Sequence, residues 1–163
     1  MKCLMELDKG YGLNWPEKLA YLAFKFLEGA QIRCPVVHSF EPGVYIREMF
    51  IPKGVVFIGR AHRHGHRVEL VSGKVVLIEE DRRTHLEAPF DMYTVPCYMT
   101  AFIAVTDVVG RTYHPNPTES RDLITLEDDA FRPAAEPLAI GAAVNARILA
   151  IDAERAKVLE VAA

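Results

Sequence analysis

The chain has 163 residues, half of them apolar and a quarter charged, with a formal net charge of −3. That length suits one domain with a core of its own, and the slightly acidic balance argues against direct nucleic-acid binding through phosphate contacts. No run of about 18 apolar residues occurs, so no membrane span is expected. Residues 1–14 carry charges throughout and lack the apolar core of a signal peptide, which argues against secretion. Cys3, Cys34 and Cys97 are odd in number and far apart, which fits a reducing compartment better than a disulfide framework.

The first element in chain order is a helix. Pro16 suits its first turn, where a missing N–H costs nothing. Leu19, Leu22, Ala23, Phe26 and Leu27 recur at helical spacing, and Gly29 marks the stop. Short β-branched or aromatic runs follow from about Val36 to His114. They are Val44–Phe50, Val55–Gly59, Arg67–Val71, Lys74–Ile78, Thr84–Glu87, Met92–Val95, Thr100–Val105 and Arg111–His114. Turn residues bound them, and Ser72-Gly73 reads as a hairpin turn. So many short strands with close turns predict an all-β barrel or sandwich, and a closed barrel would leave no exposed strand edges.

Pro115 and Pro117 end the strand region. Thr118-Glu119-Ser120 can cap a short helix running to about Asp128. Phe131 to Pro137 reads as a linker broken by Pro133 and Pro137. Residues 140–163 form an alanine-rich helix with Val144, Ile148, Ile151 and Val158 as its apolar residues. The expected organisation is an N-terminal helical segment over 1–35, a β-barrel over 36–117 and a C-terminal helical segment over 118–163. The terminal helices are expected to pack on the barrel or on neighbouring subunits.

The stretch Gly54 to Gly73 carries the most specific pattern. Five residues separate Gly54 from Arg60, and His62 follows two later. His66 comes after three more residues, and six lead on to Gly73. The frame resembles the first motif of cupins, with arginine at the first histidine position and histidine at the glutamate position. Pro96-Cys97-Tyr98 resembles part of the second motif, whose histidine position falls on Ala101. His62-Arg63-His64 with Glu69 also fits the motif's ligand spacing, but leaves only three residues before Gly73. The resemblance implies a mainly β, cupin-like β-barrel (jelly roll) with N-terminal and C-terminal flanking helices.

The chain is also similar to small cupin-like proteins encoded by tailed bacteriophages. Val44-Tyr45-Ile46-Arg47-Glu48, Ile51-Pro52-Lys53-Gly54, Gly59, Gly73, Ala88-Pro89, Asp107 and His114-Pro115 carry this likeness, with Glu119, Asp122 and Leu126 after them. It covers roughly Pro16 to Glu127 by eye. It implies a virion component, located in the particle or the host cytoplasm.

Three readings of the histidine-rich stretch stay open. His62, His66 and His114, with His64 as a substitute, could hold a divalent transition metal such as Zn, Fe, Mn or Ni, as cupins do. Arg60, Arg63 and Arg67 could hold an anion or glycan at the mouth of the barrel. The alternating polar residues could instead be a solvated strand face or subunit contact. His85 falls in a charged stretch that reads as an exposed loop, and His38 precedes the first expected strand without a visible partner. Glu127-Asp128-Asp129 reads as a solvated helix end. Tyr98 and Tyr113 are further candidates for a pocket lining. No serine–histidine–aspartate order or phosphate loop stands out, so no catalytic residue is assigned. The expected function is a non-enzymatic structural or assembly protein of a tailed-phage virion. It would act as a homo-oligomer or join other virion proteins through the terminal helices. A metal-dependent cupin enzyme and an anion- or glycan-binding module are the alternatives.

Overall fold

The computed structural model describes Leu7 and residues 10–161; Cys3 lies outside the described residues. The chain divides into two compact units, Ile32–Pro133 and the pair Met1–Gln31 with Ala134–Ala163. The first unit is mainly β, with nine strands and one short helix.

The strands are β1 (Val36–Glu41), β2 (Val44–Ile51), β3 (Val56–Ile58), β4 (His66–Ser72), β5 (Lys74–Ile78), β6 (Arg83–Glu87), β7 (Phe90–Thr94), β8 (Ala101–Ala104) and β9 (Val108–Pro115). They form two sheets, ordered β1-β2-β9-β4-β7 and β3-β8-β5-β6, with antiparallel pairing throughout. The described strands thus make two ladders rather than one continuous ring of pairing. Ile51, Leu70, Val75, Ala104 and Val108, drawn from both sheets, form a buried apolar cluster.

Three strand expectations are corrected. His38 lies inside a strand, β1, and its Nδ1 shares a hydrogen bond with the Tyr45 hydroxyl at 2.7 Å. Ser72-Gly73 is not a hairpin turn, because β4 and β5 belong to different sheets. The chain crosses between layers at Gly73, whose φ is +94° and where a Cβ would stand 2.3 Å from the Asp107 carbonyl oxygen. Only glycine satisfies both conditions without strain. Lys74 N–H then donates to Thr106 Oγ1 at 2.9 Å, which anchors the start of the second sheet. His85 falls within β6 rather than a loop, with its side chain exposed.

The short helix α2 spans Leu123–Ala130 and follows α1 (Trp15–Phe26). Its N-cap is Asp122, which accepts from Ile124 N–H at 3.1 Å, so the cap lies beyond Thr118-Glu119-Ser120. Phe131 is not linker: it is 4% exposed and bridges to His62.

The second unit pairs α1 with α3 (Ala135–Val161). Asn14 caps α1 in a reciprocal capping box with Glu17. Pro137 does not break α3 but occupies its first turn, where proline is tolerated. The apolar stripes of the two helices meet each other: Leu19, Ala20 and Leu22 are buried on one, Val144 and Ile148 on the other. Phe26 and Leu27, at the end of the expected α1 stripe, are exposed. A Cβ at Gly141 would stand 2.3 Å from the Ala20 carbonyl oxygen and 2.6 Å from Phe24 Cβ, so the backbones approach too closely for any larger residue. Gly141→Ala is therefore expected to lower stability by about 1–3 kcal/mol in urea unfolding, from overpacking. An exposed helical glycine would give the opposite sign.

Candidate functional site

The register across the five-stranded sheet sorts its inner face into rows. Tyr45 pairs with His114 across β2 and β9, and His66 pairs with Thr94 across β4 and β7. β4 and β9 pair Arg67 with Tyr113, so His66 and His114 lie side by side one position along. The next inward row holds Arg47, Thr112, Val68 and Met92, and the row beyond it Met49, Gly110, Leu70 and Phe90. The inner face therefore grades from polar to apolar along the strands.

His62 joins this polar row from the loop before β4. Its carbonyl accepts from Cys97 N–H at 2.8 Å. On either side of it, Arg132 N–H donates to Ala61 O and Arg63 N–H to Ala130 O, both at 2.9 Å. The loop is thus tied to the segment 130–132. Ring centroids are 3.7 Å apart for His62 and His66, 5.2 Å for His62 and His114, and 5.1 Å for His66 and His114. Phe131 covers the cluster, 4.6 Å from His62 and 5.6 Å from His114.

All three imidazoles are buried. Burial pushes His62 down to about 3, assisted by His66, His114, Arg47 and Arg60. Burial likewise pushes His114 down to about 3, assisted by His66, Arg47 and His64. His66 is lowered by burial against an opposing hydrogen bond from its own ring to the His64 carbonyl. The cluster is neutral at pH 7.

Neutral imidazoles have the right donor chemistry for a transition metal. His62 Nε2 is buried without a hydrogen-bond partner. His114 Nε2 lies 3.0 Å from Thr112 Oγ1, His66 Nδ1 lies 2.8 Å from Thr94 Oγ1, and the His62 and His66 rings are tilted by 32° to each other. Among the described residues, no three His, Cys, Asp or Glu groups are placed to hold a metal ion. His64 stands apart, half-exposed and 3.6 Å from Asp129.

The three arginines are dispersed. Arg60 lies at the edge of the inter-sheet space, 3.6 Å from Glu127 and over the Phe131 ring at 4.4 Å. Arg63 donates to the carbonyls of Asp128 and Phe131 at 3.0 and 2.9 Å, holding the end of α2. Arg67 pairs with Asp91 at 3.4 Å and lies over the Tyr113 ring, one residue out of step with the inward His66. Tyr98 and Tyr113 do not line the cavity.

Between the sheets lies a cavity of about 310 Å³. Met49, Val68, Leu70, Val75, Leu77 and Phe102 are among its apolar walls, and Arg47, Arg60, His62, His66 and Phe131 among its remaining lining residues. Arg47 and Phe131 are absent from the sequence-derived candidates. The alternation Tyr45, Arg47, Met49, Ile51 places Arg47 on an otherwise apolar-facing row and was the available signal. Phe131 had none, because its burial depends on the long-range bridge to His62. Glu127 is a correction to the solvated helix end: it pairs with both Arg47 and Arg60.

No family model matches the chain, and no curated protein matches it. Solved structures similar to it include a cupin superfamily protein from Desulfitobacterium hafniense DCB-2, at 10% identity over 56% of this chain and 85% of that one, with a TM-score of 0.43. A conserved protein with a double-stranded beta-helix domain from Klebsiella pneumoniae subsp. pneumoniae MGH 78578 has 12% identity over 56% and 84%, with a TM-score of 0.45. An RmlC-like cupin from Shewanella frigidimarina NCIMB 400 has 16% identity over 55% and 77%, with a TM-score of 0.41. The class visible in the chain's own coordinates is a mainly β protein of two antiparallel sheets with flanking helices. Among the described residues no helix is long and apolar enough to cross a membrane.

The low-titrating histidines carry a stability consequence. An unfolded histidine titrates near 6.5, so between that value and about 3 the unfolded chain binds more protons than the folded one at His62 and His114. Stability must then rise with pH through this window and fall as acid is added. Urea midpoints are expected to decline from about pH 6.5 to pH 5, with a shallower decline in His62→Gln. An identical slope in that variant would show that His62 is not the titrating group.

Proposed function

We propose that the two-sheet unit is a binding module for a small molecule with an apolar body, seated in the inter-sheet cavity. The observation that carries this is the cavity itself, about 310 Å³ and walled by side chains of both sheets. Protein interiors otherwise hold few voids larger than a water molecule. Binding sites are typically apolar concavities of about 300–1,000 Å³ with a few polar groups at one side. The graded inner face supplies that arrangement, with Arg47, Arg60, His62 and His66 near one end.

Gly110 offers a direct test. It lines the cavity, and a Cβ there meets only the Glu69 carbonyl oxygen at an ordinary 3.7 Å. The β9 alternation places its added side chain toward the cavity, beside Met49 and Leu70. Titration with 1-octanol is expected to shift the methyl resonances of Met49 and Met92 in the native protein and leave Gly110→Val unchanged. Absence of any shift in the folded native protein would overturn the proposal.

The phage-protein resemblance supports a second reading, a structural or assembly protein of a tailed-phage virion that forms oligomers through its terminal helices. Ile140 and Leu149 favour it, being 49% and 61% exposed on α3. Light scattering is expected to give a mass above one chain, reduced by Leu149→Glu. A monodisperse native monomer would count decisively against it.

A further inference from the structure

The arginines at the polar end of the cavity suggest the chemistry of the occupant's other end. Arg47 points inward from β2 in the same row as Thr112, among apolar neighbours on the same strand face. Its Nε is buried without a hydrogen-bond partner. That same Nε faces Glu127 Oε1 as an ion pair at 3.5 Å, and the guanidinium carbon lies 5.5 Å from the Phe131 ring centroid. Glu127 also faces Arg60, at 3.6 Å. Two guanidinium groups therefore share one carboxylate, and both pairs are longer than good hydrogen bonds. The three neighbouring imidazoles add no charge at pH 7. The local balance of Arg47, Arg60 and Glu127 is one positive charge in excess.

Resting on the cavity reading above, we infer that the occupant is a small monocarboxylate with an apolar body, and that Arg47 is the residue that anchors its carboxylate. The guanidinium fork matches a carboxylate with two parallel N–H donors, and the buried Arg47 Nε–H meets Glu127 only at 3.5 Å, too far for a good hydrogen bond. Glu127 already places a carboxylate between the two arginines. An incoming carboxylate competes with it or shares the excess charge, so Glu127 weakens binding in the native protein. The apolar tail lies along the rows of Met49 and Leu70, which continue inward from Arg47.

Octanoate and 1-octanol separate the charge from the tail. Calorimetric titration is expected to show octanoate binding more tightly than 1-octanol. Arg47→Gln should weaken octanoate by about tenfold or more, the scale of a lost charge-assisted hydrogen bond, while leaving 1-octanol unchanged. Glu127→Gln should tighten octanoate, a gain that a general loss of folding does not produce. Equal affinity for the two probes, or Arg47→Gln and Glu127→Gln both without effect on octanoate, would overturn the carboxylate inference while the cavity reading stands. Failure of both probes to bind the folded native protein would overturn both.

Discussion

The register of β9 between β2 and β4 is the constraint on which the site depends. A strand places alternate residues on opposite faces, so a one-residue slip would exchange every inward and outward side chain. As paired, His114 and Thr112 face inward while Arg111 and Tyr113 face the other way, where Arg111 meets Glu48 and Tyr113 bonds the Glu69 carboxylate. The outward ion pairs and the inward imidazole row hold the same register from opposite faces. Neither set would survive a slip that preserved the other.

Much of this unit was legible because its signals are local. Turn residues and β-branched runs located eight of the nine strands, several to within two residues. The one not marked out, β1, contains Val36, Val37 and Phe40 but also His38 and Ser39, and its alternation is completed only by pairing with β2. Gly73 misled for a physical reason. A tight glycine turn between two strand-like runs has the same local sequence whether the strands pair or pass to different layers. Only the distant carbonyl of Asp107 distinguishes the two. The helices reveal the same limit. Their stripes were readable from spacing, but that each would cover the other was not, because the partners are more than a hundred residues apart.

The site was legible in its histidines and not in its charges. The spacing from Gly54 to Gly73 singled out His62 and His66, and position at the end of a late strand singled out His114; the fold brings all three together. The interleaved arginines gave no such guidance. Arg63 and Arg67 lie within five residues of His62, yet one holds helix carbonyls and the other an ion pair on the opposite strand face. Arg47, far away in sequence and unremarkable by motif, is an arginine whose Nε is buried without a hydrogen bond, 3.5 Å from Glu127. What decides the role of a charged residue here is strand parity and the neighbour across the ladder, neither of which proximity in sequence reveals.

The pairing of Val44 with Pro115 and of Arg67 with Tyr113 has a kinetic consequence. β9 is the last strand in the chain, yet it sits at the centre of its sheet. The loop that must close before β2 and β9 can pair contains nearly the whole strand region, and distant pairings of this kind slow folding. Until β9 inserts, β2 and β4 each expose an unsatisfied edge, and His66 lacks its neighbour. The order of events is then set by topology: local hairpins such as β1-β2 and β5-β6 can form early, and the imidazole cluster assembles only with the final strand.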